Sequence, residues 1–366
     1  MIPFLVVLSL LFPARIAPEI PVTTPSLGRA PGLQDGLRVA SNGSITLAAW
    51  VDGRSRSIDV FASRVDVTGK PLDPTGIVVR EHASLDDVFW DGTDFVVVTT
   101  TSAGDHELVF VSVDGAIRKR VSLPIAQNYA AHTYQGADSR LLFLPHDGYS
   151  PLATIADLQG NIIKRGGDDT GGTAAWKASN GTGFLVIRHG NGFVAEEMDR
   201  DGDVLSSIDP QFPSDFSPAA MSGDGRGGYV LAGYLPAVGD LTLIHLNADG
   251  LQQGTPVVLQ ARNPEFSFGA ASATMTNGGF VVTWAGTLPK TLSYVTYVSR
   301  DGGGPVESFT STGYISDLVY DRDADLVFTA TRELLPSFGY DVWVQKGTAS
   351  PQPLTQSATD QSAPQV

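Results

Sequence analysis

A chain of 366 residues can bury a large core, and its 40 glycines, 23 prolines and 17% charged residues suit many short strands joined by turns, not long helices. The net charge of −15, from 39 acidic and 24 basic side chains with no Lys/Arg cluster, argues against a nucleic-acid partner. The absence of cysteine excludes disulfides, thiolate zinc sites, iron–sulfur clusters and cysteine nucleophiles.

The chain opens with an apolar run at residues 2–12 (IPFLVVLSLLF), followed by PARIA. Eleven helical residues would span about 16 Å, well short of the ~30 Å apolar core of a bilayer. The run therefore reads as a secretory signal peptide over residues 1–17, with no membrane span, in a secreted, periplasmic or cell-surface protein.

A repeat fills most of the remaining chain. A turn ending in glycine recurs at Gly69, Gly115, Gly160, Gly202, Gly250, Gly302 and Gly347, a period near 46 residues. In step with it, a tight turn recurs at Asn42-Gly43, Asp91-Gly92, Gln135-Gly136, Asn180-Gly181, Gly227-Gly228, Gly278-Gly279 and Asp323-Ala324. Dipeptides such as Asn-Gly and Gly-Gly accept the positive φ that a two-residue hairpin needs. An apolar strand follows each of these turns (ITLAAW, FVVVTT, LLFLP, FLVIR, YVLAGY, FVVTW, LVFTAT), then a more alternating third strand and a polar fourth. Four strands per unit with polarity rising outward predict an all-β, seven-bladed β-propeller with four-stranded antiparallel blades. The propeller is expected over residues 33–356, preceded by an amino-terminal segment at 18–32 and followed by a tail at 357–366. Residues 20–24 are the expected ring-closing strand, while SAPQV at 362–366 resembles the start of an eighth first strand.

The first unit carries Trp50-x-Asp52-x-Arg54, then Ala62-x-Arg64-Val65-Asp66-x-x-Gly69, Leu72-Asp73 and Gly76-Ile77. This pattern resembles the repeats of large exported bacterial β-propeller proteins. Later units keep the turns and apolar strands but lose Trp-x-Asp-x-Arg, and unit six retains Trp284 alone. The resemblance implies a propeller fold and export, with these residues in structural roles, and it transfers no catalytic residue.

Candidate chemistry is sparse. Gly223-x-Gly225-x-x-Gly228 has dinucleotide spacing but precedes a strand instead of a helix. Asp199-x-Asp201-x-Asp203 and Asp321-x-Asp323-x-Asp325 place carboxylates at alternate positions, as calcium loops do. Both lack the glycine and distal glutamate of an EF-hand, and Ca2+ at Asp321, Asp323 and Asp325 is the one cofactor the sequence suggests. The loops between second and third strands share a face with the mouth of the central channel. They hold or border Asp52, Arg54, Asp105, His106, His146, Asp147, His189 and Arg332, a polar ring that could orient a ligand. These residues lead to a monomeric binding or scaffold protein whose loop face takes a carbohydrate or protein partner. The alternatives are a polysaccharide-active hydrolase or lyase on the same scaffold, and a fragment of a longer repeat surface protein.

Overall fold

The computed structural model describes residues 27–29, 34–54, 57–125, 134–135, 140–144, 153–165, 173–190, 192–261, 267–276, 278–288, 293–302, 307–311, 314–321, 324–332, 340–347, 349–354 and 356–358. Seven four-stranded antiparallel sheets follow one another, each built from four strands consecutive in the chain. They occupy residues 34–80, 83–123, 134–165, 173–208, 217–260, 267–311 and 314–353 and are numbered blades 1 to 7. The first strands of blades 3 to 7 touch in succession, blade 7 touches blade 1, and blade 1 touches blade 2. A shared apolar core joins blades 2 and 3, completing the ring. The fold is the seven-bladed β-propeller expected.

The second strands are apolar throughout because both of their faces are covered. In Ile45–Asp52, Leu47 and Ala49 pack toward blade 2, while Ala48 and Trp50 pack toward blade 7. In Phe95–Thr101, Val96 and Val98 face blade 3, and Phe95 and Val97 face blade 1. One such core lies between every pair of adjacent blades, including blades 7 and 1. Each fully buried Val, Leu or Phe side chain contributes on the order of 1.5–3 kcal/mol. The outer strands bury much less, and Val204–Ile208 alternates half-buried and exposed positions.

The two recurrent turns use glycine for different reasons. Gly43, Gly92 and Gly181, after the first strands, have φ of +85°, +98° and +94° with nothing within 4 Å of a Cβ position. Only their backbone conformation asks for glycine. The glycines after the third strands also have positive φ, but in blades 1 to 6 they press on the preceding blade of the ring. A Cβ at Gly160 would lie 2.8 Å from Val121 of blade 2, and one at Gly250 would lie 2.7 Å from the Cβ of Ala195 in blade 4. The residue three before the glycine fixes the turn: Asp66 Oδ1 accepts from the Thr68 and Lys70 amides at 2.8 and 3.0 Å.

Residues 20–24 and 362–366 lie outside the described residues. Within the 18–32 segment, Leu27–Arg29 pairs antiparallel with Gln356–Ala358 as a separate two-stranded ladder. Blade 7 takes its outermost strand, Gln352–Pro353, from its own repeat. Among the described residues, no helix is long and apolar enough to cross a membrane.

The two glycine classes should separate on substitution. Gly92→Ala carries only left-handed backbone strain, about 1–2 kcal/mol. Gly250→Ala adds overpacking against Ala195, about 1–3 kcal/mol more. Thermal unfolding should show the larger loss for Gly250→Ala, and equal losses would contradict a packing role for that glycine.

Candidate functional site

In every blade the second strand ends, the third begins, the fourth ends and the first begins on one side of the ring. That loop face carries the long connections, and the first strands run from it down the channel wall. Six of the first strands carry a β-bulge near this end: between Asp35 and Arg38, Leu85 and Asp87, Ala174 and Trp176, Pro218 and Ala220, Phe268 and Ala270, and Ile315 and Asp317. Bulges twist a strand and re-aim the side chains beyond them. Asp317, Arg38, Asp87, Trp176, Ala220 and Ala270 thus hold one register position around the channel.

Three consecutive members of this set are charged. Their direct ladder partners, Ala330, Ala49 and Val98, belong to the cores between blades 7 and 1, 1 and 2, and 2 and 3. Directly opposed residues share a face, so Asp317 leans toward blade 1, Arg38 toward blade 2 and Asp87 toward blade 3. Asp317 Oδ2 accepts from the Gly36 amide at 3.1 Å, and its Oδ1 lies 4.0 Å from Arg38. Asp87 Oδ1 accepts from the Val88 amide at 2.8 Å. Lys177 of blade 4 approaches from the other side. Its ladder partner Val186 belongs to the core between blades 3 and 4, so Lys177 also points toward blade 3.

Asp87 and Lys177 therefore converge across blade 3, and each feels the other's charge. Lys177 is 5% exposed. Burial pushes Lys177 down to about 7, opposed by Asp87. Asp87 is half-buried but walled in by protein, and burial pushes its carboxyl up to about 7 against the pull of Arg38 and the Val88 amide.

On the face of blade 4 opposite Lys177, toward blade 5, an aromatic run crosses the loop face. Trp176 lies 6.1 Å from Phe193, Phe193 lies 5.2 Å from Phe212, and the exposed His189 ring lies 4.8 Å from Phe193. Trp176, Phe193 and Phe212 are only partly buried against the core between blades 4 and 5.

The residues singled out by sequence fall into three groups. Asp52 and His106 sit in strands with no exposed surface. Asp52 accepts from the Trp50 indole at 2.9 Å, from Gln34 Nε2 at 3.1 Å and from Arg54, whose guanidinium also lies 4.3 Å over Phe61. His106 Nδ1 contacts Thr100 Oγ1 at 2.9 Å, that hydroxyl donates to Asp86 at 2.7 Å, and the imidazole stands edge-on to Phe143. Asp105 and His189 are exposed on the loop face. His146 and Asp147 lie outside the described residues, and Arg332 ends the second strand of blade 7, where its backbone pairs with Tyr340.

The calcium candidates diverge. Asp321 accepts from Thr46 of blade 1, while Asp325 accepts from Tyr320 at 2.6 Å and lies 3.6 Å from Arg300 of blade 6. Asp323 is outside the described residues, and among the described residues no three His, Cys, Asp or Glu side chains cluster as metal ligands. Asp201 and Asp203 pair instead with Arg140 and Lys164 of blade 3.

Sequence reading passed over Asp86, Asp87, Trp176 and Lys177. The signal was present as charge inside the innermost strands, in ASLDDVFW and TAAWKAS.

No protein-family model and no curated protein matches the chain. Solved structures do. The β-propeller domain of the Trilobed protease from Pyrococcus furiosus, described as having an open velcro topology, superposes with a TM-score of 0.58 at 12% identity over 90% of this chain and 99% of that one. The WD40 domain of Toxoplasma gondii coronin gives 0.57 at 10% identity, over 92% and 85% of the two chains. A streptogramin B lyase gives 0.52 at 11% identity, over 84% and 94%. These likenesses define the class, a β-propeller, whose relatives in fold include a lyase, a peptidase and WD40 proteins.

The pair makes opposite demands on pH. Asp87 binds its proton more tightly folded than unfolded, so its contribution to stability is lost as pH rises from about 4 to about 7. Lys177 holds its proton less tightly folded, so its contribution is lost as pH falls from about 10.5 to about 7. Asp87→Asn should therefore raise the melting temperature more at pH 8 than at pH 5, and Lys177→Met more at pH 5 than at pH 9. Parallel pH trends in the two variants would contradict this placement.

Proposed function

We propose that the protein is an exported propeller that binds a carbohydrate on its loop face, at the channel mouth beside blade 4. The observation that carries this reading is the partly exposed run Trp176–Phe193–Phe212 next to the charged channel wall. A sugar ring offers C–H faces that stack on aromatic rings, and an edge of hydroxyls that needs polar partners. An aromatic platform bordered by a few fixed polar groups meets both needs. The apolar run at residues 2–12 supports export, and the variable loops of this face support recognition.

A glycan and polysaccharide screen on the secreted protein tests the reading, with degradation products assayed in parallel. Binding without turnover is expected, weakened at least tenfold by Trp176→Leu in a variant that still melts cooperatively. Capture of proteins but no glycan would overturn the proposal, and turnover would transfer it to the hydrolase or lyase alternative.

A further inference from the structure

The end of the ring opposite the loop face carries the recurrent turns, and there two carboxylates meet between blades 4 and 5. In the third strands of blades 1 to 5 one register position, two residues before the polar residue that opens the turn, is held by Arg64, Phe110, Ile155, Glu197 and His245. Their ladder partners Leu47, Val96, Leu142, Leu185 and Val230 all belong to the core shared with the next blade. Directly opposed residues share a face, so each side chain is turned toward that blade. Glu197 is the one acid among the five.

Where blade 1 meets blade 2, charge is balanced at this position. The Arg64 guanidinium is held by Asp73 through bonds of 2.9 and 2.8 Å, donates to the Val113 carbonyl in the blade 2 turn at 2.9 Å and feels the charge of Asp114. Where blade 4 meets blade 5, an acid meets an acid. Gly250 presses on Leu185 and Ala195, which sets the preceding residue, Asp249, against Glu197. Glu197 is half-buried and its Oε2 accepts from Ser206 Oγ at 3.3 Å. Burial and then the Asp249 charge push its carboxyl up. Neither acid has an ion pair among the described residues.

A second fault lies beside the first. Tyr229 starts the second strand of blade 5 and packs toward blade 4 in the core between them. It has no exposed surface, and the Asn180 amide approaches its hydroxyl, which has no hydrogen-bond partner among the described residues. Glu197 is the charge that this hydroxyl feels most. An unpaired buried hydroxyl and two opposed carboxylates are each costly, and one cation relieves both.

We propose that the cleft between blades 4 and 5, at the turn end of the ring, binds a calcium ion bridged by the Glu197 and Asp249 carboxylates, with the Ser206 and Tyr229 hydroxyls as further donors. All four donors are oxygen, and they come from three strands and a turn. Such a set suits the larger, geometrically permissive Ca2+ better than octahedral Mg2+, with water completing its roughly six to eight ligands. The site is at the opposite end of the ring from the glycan platform and does not depend on it.

The test is calorimetric titration and thermal unfolding of the full chain with calcium chloride at constant ionic strength. Ca2+ should bind with a Kd of about 0.1–1 mM, the range of extracellular calcium modules, and raise the melting temperature more than Mg2+ does. Glu197→Gln and Asp249→Asn should each weaken binding at least tenfold, yet melt no lower than the parent in the absence of calcium, because the like-charge contact is gone. Tyr229→Phe should weaken binding severalfold. An equal calcium response in the parent and in Glu197→Gln would place the ion elsewhere, and a parent with neither heat nor shift would hold no calcium. Either result overturns the proposal, as would equal responses to Ca2+ and Mg2+.

Discussion

The join between blade 7 and blade 1 is the contact on which the rest of the molecule depends. Every blade buries both faces of its inner strands, so an unclosed ring would expose two apolar sheet faces to water. Among the described residues blade 7 is built from strands of its own repeat, and side chains join it to blade 1. Leu37, Trp50 and Phe61 of blade 1 share a core with Leu326, Phe328 and Val342 of blade 7. Through that core runs a polar link: Gln34 donates to Asp52 at 3.1 Å and accepts from the Val342 amide of blade 7 at 3.1 Å. Asp317 and Asp321 of blade 7 accept from the Gly36 amide and from the Thr46 hydroxyl. A buried carboxylate such as Asp52 is tolerable only with its oxygens filled, and Trp50, Gln34 and Arg54 fill them.

This join explains why one unit keeps a motif that the others lose. Trp50-x-Asp52-x-Arg54 is the blade 1 side of the closure, where the neighbouring blade comes from the far end of the sequence. Arg64 of the same unit grips Asp73 with two bonds of 2.9 and 2.8 Å and donates to the Val113 carbonyl of blade 2 at 2.9 Å. Blade 1 is thus tied on both sides by side chains that appear in the sequence as a conspicuous pattern.

The architecture was legible because turns and strands are local. Asp66-x-x-Gly69 and Asn42-Gly43 announce their backbone conformations, and a strand such as FVVVTT announces two covered faces. The site was less legible because it is made by bulges and by neighbours distant in sequence. Only two of the six bulged segments carry glycine, at Gly36 and Gly269, so nothing in Leu85-Asp86-Asp87 marks the re-aiming of Asp87. Nor can the sequence show that Asp87 and Lys177, ninety positions apart, point at the same blade. The opposite failure occurred at His106, which borders a loop by position but turns inward to Thr100 and Phe143.

Hydrogen–deuterium exchange on the full chain carrying Asp52→Ala tests the closure most directly. The buried Trp50 and Gln34 groups lose their shared acceptor, so protection should fall first in Gln34–Ser41, Ile45–Asp52 and Tyr340–Lys346, the strands on the two sides of the join. Blades 3 to 5 should exchange as in the unaltered protein. A uniform loss of protection around the ring, or none at the join, would contradict the account.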